Sequence, residues 1–215
     1  MIKVNVNLDK GVPQYACTSC SKCTSIYGKS LCKIKNRGCC WYFPKFNLHE
    51  IHMMSKTEEG LKTLEYILSL PNIKIYNYYI HAKGYFDEEG YNTYLNTEEA
   101  YENNVKDKTI FFRACPFVED GVGCNLPEQY RSYVCNFFIC EEITEKLSKS
   151  PAYKKYLDER NSYAKWIQWE NESLEMILKE KNINLINHFK EVVEVLKEIP
   201  LENFVFAKLE TIEII

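Results

Sequence analysis

The chain has 215 residues, of which 46% are hydrophobic, with a formal net charge of −3 and ten cysteines. That length supplies a core that does not depend on the disulfides small secreted domains need to offset chain entropy. The near-balanced charge gives no bulk basic field, so no nucleic-acid partner is expected.

The opening residues alternate, with Ile2, Val4, Val6 and Leu8 in register, and predict a strand over 1–8 ended by Asp9, Gly11 and Pro13. No apolar run follows a basic start here, and no stretch approaches the roughly 20 apolar residues of a membrane span, so the expected compartment is the cytoplasm. Residues 17–40 carry Cys17, Cys20, Cys23, Cys32, Cys39 and Cys40 in a setting of Ser, Lys, Asn and Gly. This reads as a loop with no reason to hold a shape without a ligand.

Apolar residues at Ile51, Met54, Leu61, Leu64, Ile67 and Leu68 predict helix over 48–70, closed by Pro71, with Gly60 as a point where it divides. Residues 72–87 are β-branched and aromatic, and a turn at Asp87 to Gly90 leads to a second extended piece near 91–95. A short helix follows from Thr97, with Glu98 and Glu99 in its first turn. Residues 109–126 read as strand, turn, strand, with Cys115 and Cys124 on either side of the turn. Residues 127–148 read as helix from Pro127, placing Cys135 and Cys140 five positions apart, and two longer helices are expected over 152–181 and 184–198. The expected fold is α+β: small strands and loops organised around a cysteine-held metal site in residues 1–148, with a helical C-terminal region over 149–215 packed on it.

Ten cysteines in a reducing compartment are thiols or metal-bound thiolates, and six in a hydrophilic loop are poorly explained by burial. Closely spaced thiolates chelate, because each ligand after the first is already near the ion. Cys17-x2-Cys20-x2-Cys23 partly matches the bacterial ferredoxin run; the fourth cysteine of that run is absent from its place, and Cys115-Pro116 offers a Cys-Pro from a distance. Zinc competes, since four-cysteine zinc sites pair short Cys-x2-Cys knuckles with a distant second pair. An iron–sulfur cluster, of the 4Fe-4S type, and zinc therefore both stand as expectations, with all ten cysteines as candidate ligands. Adjacent Cys39 and Cys40 rarely both face one small ion, so one of them serves a second site or packs in the core. Lys29, Lys33, Lys35 and Arg37 lie among the first six cysteines, where cations lower thiol pKa values and offset negative charge.

Residues 38–51, GCCWYFPKFNLHEI, and 115–140, CPFVEDGVGCNLPEQYRSYVCNFFIC, together resemble the YkgJ-like cysteine-cluster family of zinc- or iron-chelating domains. Cys17 and Cys20, Cys39 and Cys40, Leu48 with Glu50, Cys115 to Val118, Cys124, Arg131 and Cys135 match its motifs in order over about residues 15–145. The chain departs from the pattern at Arg131-Ser132, where the family has Arg-Pro, by one extra residue before Arg131, and by an insertion carrying Cys23 and Cys32. The resemblance implies thiolate metal binding and, through flagellin lysine N-methylases similar to it, an iron–sulfur cluster, S-adenosylmethionine and a protein substrate. Neither a Gly-x-Gly-x-x-Gly turn nor a Cys-x3-Cys-x2-Cys run is present to hold that donor in a familiar way. A structural zinc interaction module is the third reading.

His49-Glu50-x-His52 has its histidines three apart rather than the four that a helical zinc-protease motif requires, and it reads as a helix start with surface histidines. Arg131 reads either as a pin for the second cysteine block, through backbone carbonyls or acids, or as a solvated residue. In 152–182, Tyr153, Tyr156, Leu157, Trp166, Ile167 and Leu174 fall at near-helical spacing and predict an amphipathic cover. Trp166 and Trp169 are the positions whose exposure tells a cover from a partner-binding helix.

Overall fold

The structure, a computed structural model, describes residues 2–9, 12–18 and 25–214. In chain order its elements are β1 (Ile2–Asp9), β2 (Val12–Cys17), β3 (Lys45–Asn47), α1 (Leu48–Ser55), α2 (Glu58–Ser69), β4 (Ile73–Tyr76), β5 (Tyr79–Ala82) and β6 (Tyr85–Phe86). They continue with α3 (Glu88–Tyr94), α4 (Glu98–Glu102), β7 (Arg113–Ala114), β8 (Val118–Glu119), β9 (Gly123–Cys124), α5 (Tyr133–Asn136), α6 (Glu141–Leu147), α7 (Pro151–Glu180), α8 (Phe189–Glu198) and β10 (Ile212–Ile214). This is a mixed α/β architecture of small sheets with a long helix toward the C-terminus. Among the described residues, no helix is long and apolar enough to cross a membrane. The chain divides into two compact units, one of Met1–Thr18, Pro44–Ala82 and Leu126–Ile215, the other of Ser19–Phe43 and Lys83–Asn125.

In the first unit, β1 is the middle strand of an antiparallel sheet, pairing Val4 with Cys17 of β2 on one side and with Ile212 of β10 on the other. A second antiparallel sheet has the order β3-β5-β4, its buried face formed by Phe46, Ile80 and Ala82. α1 follows β3 directly and buries seven of its eight residues, Met53 being the exception, against α2, α7 and α8. The expected helix over 48–70 is two helices, and the break is at Lys56 and Thr57 rather than Gly60. Thr57 Oγ1 accepts from the Gly60 amide and caps α2, with Glu58 and Glu59 in the first turn. Gly60 serves the packing instead, because a Cβ there would overlap the Met54 carbonyl; its bareness lets α2 cross the end of α1.

Over 127–148 the expected single helix is three pieces: a 3-10 turn at Glu128–Tyr130, then α5, then α6. Ser132 adopts an extended conformation between the first two, and Cys140 does the same at the N-terminus of α6. α7 matches the periodicity closely, starting at Pro151 with the Ser150 hydroxyl accepting from Tyr153 N. Its inner face meets an aromatic core of Tyr15, Phe137, Tyr153, Tyr156 and Tyr163, onto which Phe204 and Phe206 fold back from the segment after α8. Trp166 belongs to this packing, whereas Trp169 is 61% exposed.

In the second unit, β6 pairs with β7 and β8 with β9, around a core of Tyr94, Ala100, Val105, Ile110, Phe111 and Phe112. Residues 91–95, expected to be extended, lie on and just after helix α3, which Asp87 caps through the Gly90 amide. Tyr91 and Tyr94, three apart, both reach Phe112, a spacing that suits a helix face. The expected helix from Thr97 is α4, capped by that threonine. Before β7 the chain takes a 3-10 turn at Lys108–Phe112, and the strand-turn-strand pattern is realised by β8 and β9.

The crossing at Gly60 makes a prediction. Gly60→Ala should destabilise the protein by about 2–3 kcal/mol through overpacking, whereas exposed Glu65→Ala on the same helix should stay within about 0.5 kcal/mol. Urea unfolding followed by circular dichroism measures both.

Candidate metal centre

Five described cysteines lie in the second unit: Cys32, Cys39, Cys40, Cys115 and Cys124. Their positions follow from how a loop of little apolar content is tied down. Leu31 N and Cys32 N both donate to Phe111 O, at 2.8 and 3.3 Å, which fixes the loop to the aromatic core. Further along, Asn36 N donates to Asp120 Oδ1 at 3.2 Å and Asn36 O accepts from Gly121 N, attaching the loop to the β8–β9 turn. Arg37 to Cys40 then form a tight turn, closed by Cys40 N to Arg37 O at 3.2 Å. Gly38 at its second position has φ +55°, the left-handed region that makes glycine the favoured residue there. Cys40 O accepts from Cys115 N at 2.9 Å, so the Cys-Cys pair and the Cys-Pro strand, far apart in sequence, share a backbone bond. Val118 pairs with Cys124 in the following hairpin.

Arg37 organises this region. Its side chain is 2% exposed, with Nη1 donating to Gly38 O and Nη2 donating to Lys29 O at 2.8 Å and Ile110 O at 2.6 Å. Burial pushes the guanidinium below its ordinary pKa; Cys32, which also hydrogen-bonds it, then Cys40 and Cys39 act in the opposite sense. Nε of Arg37 has no hydrogen-bond partner among the described residues. Cys32 is fully buried, its sulfur 3.3 Å from Ser30 Oγ and 3.7 Å from Ile34 O. The three lysines of the same stretch point elsewhere: Lys29 pairs with Glu99, Lys33 lies over the Tyr85 ring and Lys35 donates to Leu31 O. The sequence marks Arg37 only as one of four cations; its partners at Ile110 and Lys29 are what single it out.

The other described cysteines, Cys17, Cys135 and Cys140, lie in the first unit. Cys17 and Cys140 pack against the aromatic core, and Cys135 is exposed on α5. Cys20 and Cys23 lie outside the described residues. Arg131 acts as a local pin, with Nε donating to Leu126 O at 3.0 Å and Nη1 3.6 Å from Glu128. Among the described residues, no three His, Cys, Asp or Glu side chains gather closely enough to hold a metal ion.

The expected surface histidines of α1 are instead buried. His49 is 2% exposed, edge-on to Trp166, with neither ring nitrogen hydrogen-bonded among the described residues. His52 is 1% exposed and meets Ile199 O through Nε2 at 2.9 Å. Between them, Glu50 accepts from Asn47 N at 2.9 Å in a capping box and faces Tyr133 N at 3.5 Å. Nearby, a cleft of about 370 Å³ is lined by residues including Asn47, Tyr133, Gln168 and Asn171.

No protein-family model, curated protein or solved structure matches the chain.

The buried groups of α1 oppose each other in their pH dependence. Burial, and secondarily His52, lowers His49 to about 4, so its contribution to stability is complete above about 6.5 and is lost as pH falls toward 4. Burial raises Glu50 to about 7, so the folded state keeps a proton that the unfolded chain gives up, and stability falls as pH rises from about 4.5 to 7. His52 is also lowered, chiefly by burial, with neighbouring Lys56 adding to the shift; its direction reinforces His49. Glu50→Gln removes the opposing slope, so stability in urea titrations should drop between pH 6.5 and 4.5 by roughly 3 kcal/mol more than in the unmodified protein. His49→Gln should instead expose the fall toward pH 7.

Proposed function

We propose that the chain is a thiolate metal-binding protein whose second unit holds an iron–sulfur cluster, with zinc as the competing metal. Cys32, Cys39, Cys40, Cys115 and Cys124 are the candidate donors there, and Cys20 and Cys23 join them on sequence spacing alone. What supports this reading is a cysteine-bearing loop tied down around the buried Arg37, whose backbone bond from Cys40 O to Cys115 N joins two cysteine segments far apart in sequence. Cys17 and Cys140, against an aromatic core, have the surroundings of small hydrophobes.

When bound, an iron–sulfur cluster supplies one-electron chemistry, whereas zinc supplies a redox-silent cross-link. If either metal binds, Cys32, Cys39, Cys40, Cys115 and Cys124 would be the residues of this unit to hold it. The Gly38 turn presents Cys39 and Cys40, the Phe111 carbonyl holds Cys32 in place, and the Cys40–Cys115 backbone bond joins the two segments. Methyl transfer to a protein lysine is the alternative carried by the resemblance. It requires binding of S-adenosylmethionine as well as metal.

Protein purified without oxygen should contain iron and acid-labile sulfide with broad visible absorption, or zinc at a fixed stoichiometry without colour. Serine at Cys39 or Cys115 should lower the metal content at least about tenfold under competition with a chelator, while serine at Cys17 or Cys140 should leave it unchanged. Metal-free protein, or equal retention in all four variants, would overturn the proposal.

A further inference from the structure

Between α8 and β10 the chain runs through residues 200–211 without helix or strand, and among the described residues no backbone–backbone hydrogen bond involves this stretch. It is tied at its ends: Ile199 O accepts from Lys56 Nζ and meets His52 Nε2, and β10 pairs with β1. Between those ends the backbone bonds go to side chains, Ala207 N donating to Glu159 Oε2 at 3.0 Å and Glu210 O accepting from Tyr156 Oη at 2.7 Å.

The middle of the stretch is held by a pair of rings. Phe204 has its centroid 5.3 Å from that of Tyr163 and 5.6 Å from that of Trp166; Phe206 stacks on Phe137 at 5.7 Å and lies 5.5 Å from Tyr163. Val205 between them is 88% exposed. Alternate residues of an extended backbone face opposite sides, so Phe-Val-Phe turns two rings to the protein and one aliphatic side chain to solvent. Tyr163 and Trp166 are fixed by α7, which also packs on α1, and Phe137 by the end of α5. This is how an extended peptide sits in a groove: a receiving face on regular elements, anchors at alternate positions and pockets that read them. A stretch held by side chains rather than by a ladder also opens at less cost than the whole molecule unfolds.

We propose that the aromatic groove of Phe137, Tyr163 and Trp166 is a docking surface for an extended segment of a partner protein with aromatic residues at alternate positions, and that Phe204-Val205-Phe206 is its internal occupant. The partner displaces this strap and takes the two ring positions. The inference concerns the first unit alone and stands apart from metal binding. Because the strap is tethered, its effective concentration at the groove is roughly millimolar, and a partner has to outcompete it.

The test uses the full chain as the unmodified protein and as the double variant Phe204→Ser/Phe206→Ser, with folding checked by circular dichroism. The probe is a fluorescent peptide of residues 200–209, PLENFVFAKL, which leaves β10 out of the comparison; its control carries the same two substitutions. By anisotropy, the double variant should bind the native peptide at least about tenfold more tightly than the unmodified protein does, and should not bind the control. Adding Trp166→Ala to the double variant should weaken binding about tenfold or more. No binding by the folded double variant, equal binding by the two proteins or of the two peptides, or indifference to Trp166→Ala would overturn the proposal. A dimer of the unmodified protein that the double substitution abolishes would make a second copy's strap the occupant and overturn a separate partner. Should the double variant fail to fold, a protease site inserted between Leu201 and Glu202 of the unmodified chain separates the strap from α8. The cut protein should then exchange its own 202–215 segment for a labelled copy and not for a doubly substituted one; no exchange, or equal exchange of both, overturns the proposal as well.

Discussion

Burying a guanidinium obliges a fold to arrange everything near it. Arg37 spends its donors on the carbonyls of Gly38, Lys29 and Ile110, so residues 29–40 are clasped to the segment that carries Ile110 and Phe111. Leu31 packs against the aromatic core and Cys32 is buried, but Lys29, Lys33, Lys35, Asn36 and Arg37 bring polar groups to this loop that the hydrophobic effect does not place. Its shape comes from directional bonds: the shared Phe111 carbonyl, the Asn36 pair with the β8–β9 turn, the Gly38 turn and the Cys40–Cys115 bond. Such a loop is more prearranged than its composition suggests. The residual cost is electrostatic, since carbonyls orient a cation without neutralising it.

The legible parts of this fold are those where one physical signal dominates. Strand β1 alternates cleanly, and α7 combines a Pro start with apolar spacing long enough to outweigh local noise. Residues 91–95 mislead because Tyr-rich sequence favours strands; Asp87 and Gly90, which suggest a turn, are the capping pair of α3. Over 127–148 the apolar pattern is nearly continuous, yet Ser132 and Cys140 take extended conformations and divide it. At the site, the sequence shows which residue types cluster. It does not show that Arg37, alone among four nearby cations, turns inward, because its partner Ile110 stands some seventy residues away and carries only a backbone carbonyl to the contact. The insertion bearing Cys23 and Cys32 is equally mixed in outcome: Cys32 is fully buried beside Arg37.

α1 shows the same limit from the opposite direction. His-Glu-Ile-His has no amphipathic period, so exposure is the ordinary expectation for its polar members. The structure buries them because α1 emerges straight from β3 and is packed by α2, α7 and α8, leaving no solvent face of consequence. The helix accommodates this by staying largely uncharged: His49 is held neutral by burial, and Glu50 is raised toward neutrality while accepting the Asn47 amide. Lys56, at the end of α1, reaches the carbonyls of Leu196, Lys197 and Ile199 at the C-terminal end of α8, where a cation is favoured by the helix dipole. Lys56 and the Glu50 capping box thus help bind this helix into the first unit.

The two units also differ in what must happen before each can work. The cysteines of the second unit come from two segments, residues 19–43 and 83–125, separated by a stretch that belongs to the first unit. Bringing those segments together costs loop-closure entropy, which rises only slowly with the length enclosed. Part of that cost is offset by the Arg37, Phe111 and Cys40–Cys115 contacts, all of which cross from one segment to the other. A metal bound by donors from both segments would offset more of it, because a ligand with affinity for the folded state alone adds its binding free energy to stability. In the structure itself, Arg37 already does part of this work, because its bonds to Lys29 O and Ile110 O reach both segments at once.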